Sequence, residues 1–299
     1  MSHSNTNTNT NTLQGTRILS LALNLPGPAA LMRCHDMGAT CTKLEPPPRH
    51  GVPADPMGAY NPEAYQTMHQ GLRTVHADLK TPEGQVTLHA ELASTDVLIT
   101  SFRPSALRKL GLAWPELQAR YPRLSLVEIV GAPGERAEEP GHDLTYLAEA
   151  GLVPSLELPP TLFADMAGAL QASEAVLQCL LQRVQSGTGC RREVALSQAA
   201  AWLALPRRWG LTRPEGAVGG AHAGYRVYRC ADGRVAVAAL EPHFAQSLCR
   251  AAGIKAADLK AMFAPEVHRA VAAFIGSQTR AQLDQLALEH DVPLYTLAD

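Results

Sequence analysis

The opening of the sequence alternates two periods, and that alternation constrains the fold more than any other feature. Ile18, Leu19, Leu21 and Leu23 form a short apolar run that reads as a buried strand. Asn24-Leu25-Pro26-Gly27-Pro28 breaks it. Ala29 to Met37 then reads as a helix, with Pro28 near its first turn and Gly38 just past its end. A second strand, Ala39 to Leu44, is halted by Pro46-Pro47-Pro48. Strand, crossover helix and strand make a β-α-β unit, the seed of a parallel sheet.

The theme recurs. Arg73 to Leu79 reads as a strand, and Thr81-Pro82-Glu83 opens a helix running to about Ser94. Asp96 to Ser101 and Leu124 to Val130 are further strands. A long helix is expected from about Asp165 to Gln185, then a strand from Arg192 to Leu196, with Ser197 capping the next helix. This pattern predicts an α/β fold with a Rossmann-like parallel sheet. Residues 15–212 are assigned to that large domain. The Gly-rich segment 213–224 reads as a linker. Residues 225–299 are expected to form a smaller α+β domain, opening with a hairpin around Asp232-Gly233. Residues 1–14, an Asn/Thr repeat, bury no core and are expected to be a disordered tail.

Composition narrows the function classes. The formal net charge is -2, and no long run of Lys or Arg occurs, so broad capture of nucleic acid or an anionic membrane is not expected. Six cysteines stand without CxxC pairs, and no His spacing completes a zinc site, so no metal is expected. A disulfide framework is implausible at this size, which makes a reducing cytoplasm the default. No apolar run reaches the roughly 20 residues of a membrane span.

Individual residues admit two readings. His142, in Gly141-His142-Asp143, precedes a helix and is either a loop neighbour or a reactive imidazole; Asp143 is better placed to cap that helix. Asp165 opens the longest helix, either as a cap or as a carboxylate stabilised by the helix N-terminus. Gly168, one turn on, leaves room for a ligand to approach. Glu241 ends an apolar strand before Pro242, where it is a turn carboxylate or a functional one.

Several segments, in order, are similar to one known family. LALNLPGPAALMRCHDMGATCTKLEPP resembles its opening, SFRPSALRKLGL its Arg-Pro segment, GHDLTYLAEAG and FADMAGALQASEAVLQCLLQRVQSGTG its centre, and VAVAALEPHFAQSLCRAAG the start of its small domain. The family is that of the class III coenzyme A transferases and α-methylacyl-CoA racemases. The resemblance implies an acyl-CoA substrate, with coenzyme A as the group carried, and a homodimer of entwined chains. Family members usually continue past the small domain to return to the large one, whereas this sequence stops at Asp299. The expectation is therefore a dimer whose rings are not closed.

The resemblance also implies roles. Asp165 performs the central step, as an attacking carboxylate in transferases or as a proton carrier in racemases. His142 faces it in the racemase branch, and Glu241 supports the histidine. Arg103 is the first choice for binding coenzyme A, followed by Lys43 and Arg73, and the turn at Gly27 and Pro28 would offer backbone N–H groups to the thioester oxygen. All three racemase-type positions are occupied, so the reading is a racemase or epimerase at the carbon α to the thioester. The alternatives are a CoA-transferase working through an Asp165 intermediate, and a non-catalytic binder of CoA esters.

Overall fold

The computed structural model describes residues 11–48, 50–255 and 259–298, so the expected tail lies outside the described residues up to residue 10. From there the chain is tied down. Asn11–Leu13 form a single 3-10 turn, because Leu13 is apolar enough to be buried and its N–H donates to the Met37 carbonyl at 2.8 Å. Packing divides the chain into two compact units, one reaching to Ala204 and the other starting at Leu205.

The first unit runs β1 (Arg17–Ser20), α1 (Pro26–Asp36), β2 (Thr40–Glu45), α2 (Pro56–Tyr60), α3 (Pro62–Met68), β3 (Arg73–His76), α4 (Pro82–Leu92) and β4 (Val97–Thr100). It continues through α5 (Pro104–Lys109), α6 (Trp114–Arg120), β5 (Ser125–Val130), α7 (Asp143–Glu149), α8 (Phe163–Ser186), β6 (Arg191–Ala195) and α9 (Leu196–Leu203). The six strands lie in the order β3-β2-β1-β4-β5-β6, and every pairing is parallel. The mixed α/β expectation holds, with this sheet as its doubly wound core.

Alternation of side chains along each strand feeds two cores. Ile18, Val97, Ile99, Val127 and Ile129 face α1, α8 and α9, whose Ala30, Leu31, Ala172, Val176 and Ala200 are buried with them. Leu19, Leu44, Leu98 and Leu126 face the other way, onto Leu88 and Leu92 of α4, Leu107 of α5 and Leu117 of α6. Local chemistry sets the element ends. Pro26 stands in the first turn of α1, and Gly38, at φ 94°, takes the left-handed position after its C-terminus. The α1 helix therefore starts three residues before Ala29, where apolar periodicity alone would begin it. Thr81 caps α4 by accepting from Gly84 N. Ser197 does not cap α9; the helix begins one residue before it, and its N–H donates to the Gly131 carbonyl instead.

The second unit runs α10 (Leu205–Arg208), β7 (Tyr225–Cys230), β8 (Gly233–Ala238), α11 (Pro242–Ala251), α12 (Pro265–Gly276), α13 (Arg280–His290) and β9 (Leu294–Leu297). The strands form an antiparallel sheet, β7-β8-β9. Val235 and Val237 point inward onto Leu248, Val271, Ile275 and Leu283 of the helices. The Gly-rich segment 213–224 belongs to this unit and ends with His222 and Ala223 buried. Among the described residues, no helix is long and apolar enough to cross a membrane.

Candidate active site

In an open parallel sheet, the loops leaving neighbouring strands on opposite faces open a crevice at the carboxyl end, where the strand order reverses. Here the reversal lies between β1 and β4. A pocket of about 170 Å³ occupies the place. Leu23 and Asn24 after β1, Ser101 to Arg103 after β4, and Ile129 to Gly131 at the end of β5 contribute three of its walls. His142 and Tyr146 close it from α7, and Asp165 from the first turn of α8.

Asp165 is the third residue of α8, whose N-cap position is Leu162. The positive end of a helix favours an ionised carboxyl there. Two other effects oppose it and win: burial, and after it the neighbouring charge of Asp143, push the Asp165 carboxyl up to about 7. Asp143 lies close because its Oδ1 accepts from Asp165 N at 3.0 Å. That bond corrects the sequence reading. Asp143 does not cap its own helix; it is spent on α8, and His142 holds the N-cap position of α7. The hydroxyl of Thr145 accepts from His142 N at 3.1 Å. The imidazole stays exposed on the pocket side.

Tyr146 follows His142 by one helical turn and so shares its face. Its ring fits against Gly131 and Gly141: a Cβ at either position would lie 2.3 Å or 2.5 Å from the hydroxyl. Burial, and after it the charge of Asp165, raise that hydroxyl above its ordinary pKa. Tyr146 and Asn24 escaped the sequence reading. The i, i+4 spacing from His142 is the signal that singles out Tyr146; for Asn24 it is the position directly after an apolar run.

The other expected residues are scattered. Among the described residues, Arg103 is the one arginine or lysine in the pocket wall, standing between β4 and α5. Gly27 and Pro28 lie buried in the first turn of α1. A Cβ on Gly27 would meet that of Ala22 at 2.1 Å, so this glycine serves close packing. Between Pro26 and Pro28, which have no N–H, it keeps one, while the Ala29 N–H already donates to the Leu25 carbonyl. Lys43 does not line the pocket. It is fully buried and ion-paired with Glu45 and Asp55, because an ammonium enclosed by protein needs carboxylates around it. Arg73 is likewise outside, paired with Glu91 on the exposed margin of the sheet. Gly168 leaves no room for a ligand, since a Cβ there would come 2.2 Å from Leu196 Cδ2. Glu241 belongs to the second unit, exposed at the N-cap position of α11 without capping it. Among the described residues, no cluster of His, Cys, Asp or Glu has the arrangement of a metal site.

Known proteins share this architecture. A solved structure of a hypothetical protein from Mycobacterium tuberculosis superposes with a TM-score of 0.81 at 24% identity, covering 96% of this chain and 85% of that one. The α-methylacyl-CoA racemase of Homo sapiens is 28% identical over 297 residues, covering 92% of this chain and 74% of that protein. The succinate–glutarate CoA-transferase of Agrobacterium fabrum is 27% identical over 272 residues, covering 82% and 67%. The model of CoA-transferase family III matches residues 13–299. The chain belongs to CoA-transferase family III and is an enzyme of the acyl-CoA-handling kind.

Proposed function

We propose that the chain inverts configuration at the carbon α to an acyl-CoA thioester, with Asp165 and His142 exchanging the α-proton. One observation carries this reading: a carboxyl pushed up to about 7 shares a pocket with an exposed imidazole. The α-proton of a thioester is weakly acidic, so its transfer needs a base and an acid matched to neutral pH. A carboxyl near 7 is populated in both forms there. Asp165 takes the proton from one face as carboxylate, or returns it as the acid. His142 does the converse from the other face. The enolate oxygen that forms between these steps needs a donor. Tyr146, whose hydroxyl reaches into the field of Asp165, is the candidate within the pocket. Arg103 supplies positive charge for the anionic part of coenzyme A. The assignment rests on the first unit alone.

The test is incorporation of solvent deuterium at the α-position of a 2-methylacyl-CoA. Wild type is expected to label the thioester, and Asp165→Asn to lower the rate by about 10²–10⁴-fold. Absence of label with wild type across a range of branched thioesters refutes the reading. A second reading is favoured by the place of Asp165 in the pocket wall, where its carboxyl, ionised in part at neutral pH, can attack a bound thioester. In it Asp165 attacks the thioester carbonyl and the CoA thiolate leaves, giving a mixed anhydride. Hydroxylamine trapping at Asp165 in the presence of acyl-CoA and a carboxylate acceptor distinguishes it.

A further inference from the structure

The most heavily charged buried cluster of the first unit lies beside the pocket rather than in it. Lys43, on β2, is 0% exposed. Its ammonium meets the Asp55 carboxylate, Glu45 Oε2 at 3.3 Å and His69 Nε2 at 3.0 Å. Burial, and after it the charge of Lys43, lower the His69 pKa. The neutral ring therefore accepts from Lys43 at Nε2 and donates from Nδ1 to the Tyr65 carbonyl at 2.6 Å. Two ammonium protons are thus directed at Asp55 and His69, while Glu45 Oε2 is held by charge alone, without a hydrogen bond among the described residues.

Asp55, also 0% exposed, does more than neutralise the lysine. Its Oδ2 faces Lys43, while Oδ1 accepts from Asn24 N and from Met57 N, each at 3.0 Å. One carboxylate thus joins three segments: β2 through Lys43, the turn after β1 through Asn24, and the start of α2 through Met57. Asn24 needs such support. Its φ is 66°, a left-handed backbone that asparagine tolerates better than most non-glycine residues but still adopts at a cost. Asn24 is also a wall of the pocket. Tyr60, at the end of α2, donates toward Asn24 Oδ1 at 3.5 Å, and burial, then the charges of Asp55 and Asp165, raise its hydroxyl.

We infer that Asp55, clamped by Lys43, is a positioning residue for the reaction: it locks the Asn24 turn in its left-handed form and so fixes the pocket wall that faces the thioester. This rests on the pocket being the reacting site. A clamp that only stabilises the fold would act on the amount of folded enzyme. A clamp that positions the wall acts on turnover in enzyme that is fully folded.

Two double variants separate these. Lys43→Met/Asp55→Asn removes the Lys43–Asp55 ion pair, leaves Glu45 without Lys43 just as the second variant does, and keeps an amide oxygen for Asn24 N. Lys43→Met/Asp55→Ala removes the charges and the acceptor together. With circular dichroism matched, the first is expected to keep kcat within about threefold of wild type, and the second to lose about 100-fold in kcat with KM for the thioester little changed. Equal kcat in the two variants, or loss only in proportion to the folded fraction, overturns the inference. Hydrogen exchange at the Asn24 amide decides the clamp without turnover. It is expected to be slow in wild type and in the Asp55→Asn double variant, and about 100-fold faster in the Asp55→Ala one. Equal exchange in both also overturns it. Silence of the wild-type enzyme toward all thioesters would refute the function instead, and the exchange result would still stand for the clamp.

Discussion

Asp165 has an ordinary carboxyl pKa of 3.8 when the chain is unfolded and about 7 in the folded protein, where it is buried beside Asp143. The folded state therefore binds this proton more tightly. Stability gained from it is fully present below 3.8 and is lost as pH rises through 7. Replacing the carboxyl with an amide removes the penalty at high pH only. Asp165→Asn is expected to raise the unfolding free energy by roughly 2–4 kcal/mol at pH 8 and to change it little at pH 4, as urea titrations at the two values would measure. A variant no more stable than wild type at pH 8 would contradict the origin assigned to the shift. Lys43 makes the opposite case, a charge whose removal costs. Lys43→Met leaves Asp55 and Glu45 enclosed without a cation, and should destabilise by about 3–5 kcal/mol in the same titration. The role of Lys43 was not legible in the sequence. Its partners Asp55 and His69 lie 12 and 26 residues away, and only the return of the chain through α2 and α3 brings them to β2.

At the scale of elements, the central strands β4 and β5 were readable because they are buried on both faces and so appear as near-continuous apolar runs. The β4 strand, Val-Leu-Ile-Thr, is buried at all four positions. The short helices α2 and α3 were not readable. They are five and seven residues long, their apolar content is low, and each depends on a capping side chain, Asp55 or Asn61, in a stretch broken by prolines. The helix carrying Asp165 was anticipated, though it begins two residues earlier, and this moves Asp165 from the cap into the first turn. Its packing onto α9 passes through Gly168 and Leu196, and Leu196 also lines the pocket. Gly168→Ala is expected to push the Leu196 side chain aside at a cost of about 1–3 kcal/mol and to slow deuterium exchange. Adding Leu196→Ala should recover part of the stability. If Gly168→Ala proves as stable and as active as wild type, this contact does not shape the pocket.

For the molecule as a whole, each unit keeps a histidine that resists protonation. His69 in the first and His222 in the second have lowered pKa values, burial being the first cause in both. His222 is 1% exposed, its Nδ1 accepts from Gly224 N at 3.1 Å, and its Nε2 has no protein partner among the described residues. The unfolded chain takes up these protons near 6.5 and the folded one does so only at lower pH. Stability is therefore lost as pH falls below 6.5. Asp165 pulls the other way over the same range. Thermal unfolding between pH 7.5 and 5 should thus show the acid loss more steeply in Asp165→Asn than in wild type, and less steeply once His222→Gln is added. A pH profile indifferent to His222→Gln would remove that histidine from the account.

The parallel sheet is open at both margins, β3 and β6. An open margin offers unpaired backbone to any passing strand. On β3 the run is only four residues long and carries Arg73 and His76 outward; on β6 it begins Arg191-Arg192-Glu193. Any extended peptide docking there would have to strip water from these charges. The enzyme can thus be crowded among copies of itself without its sheet growing sideways into fibrils.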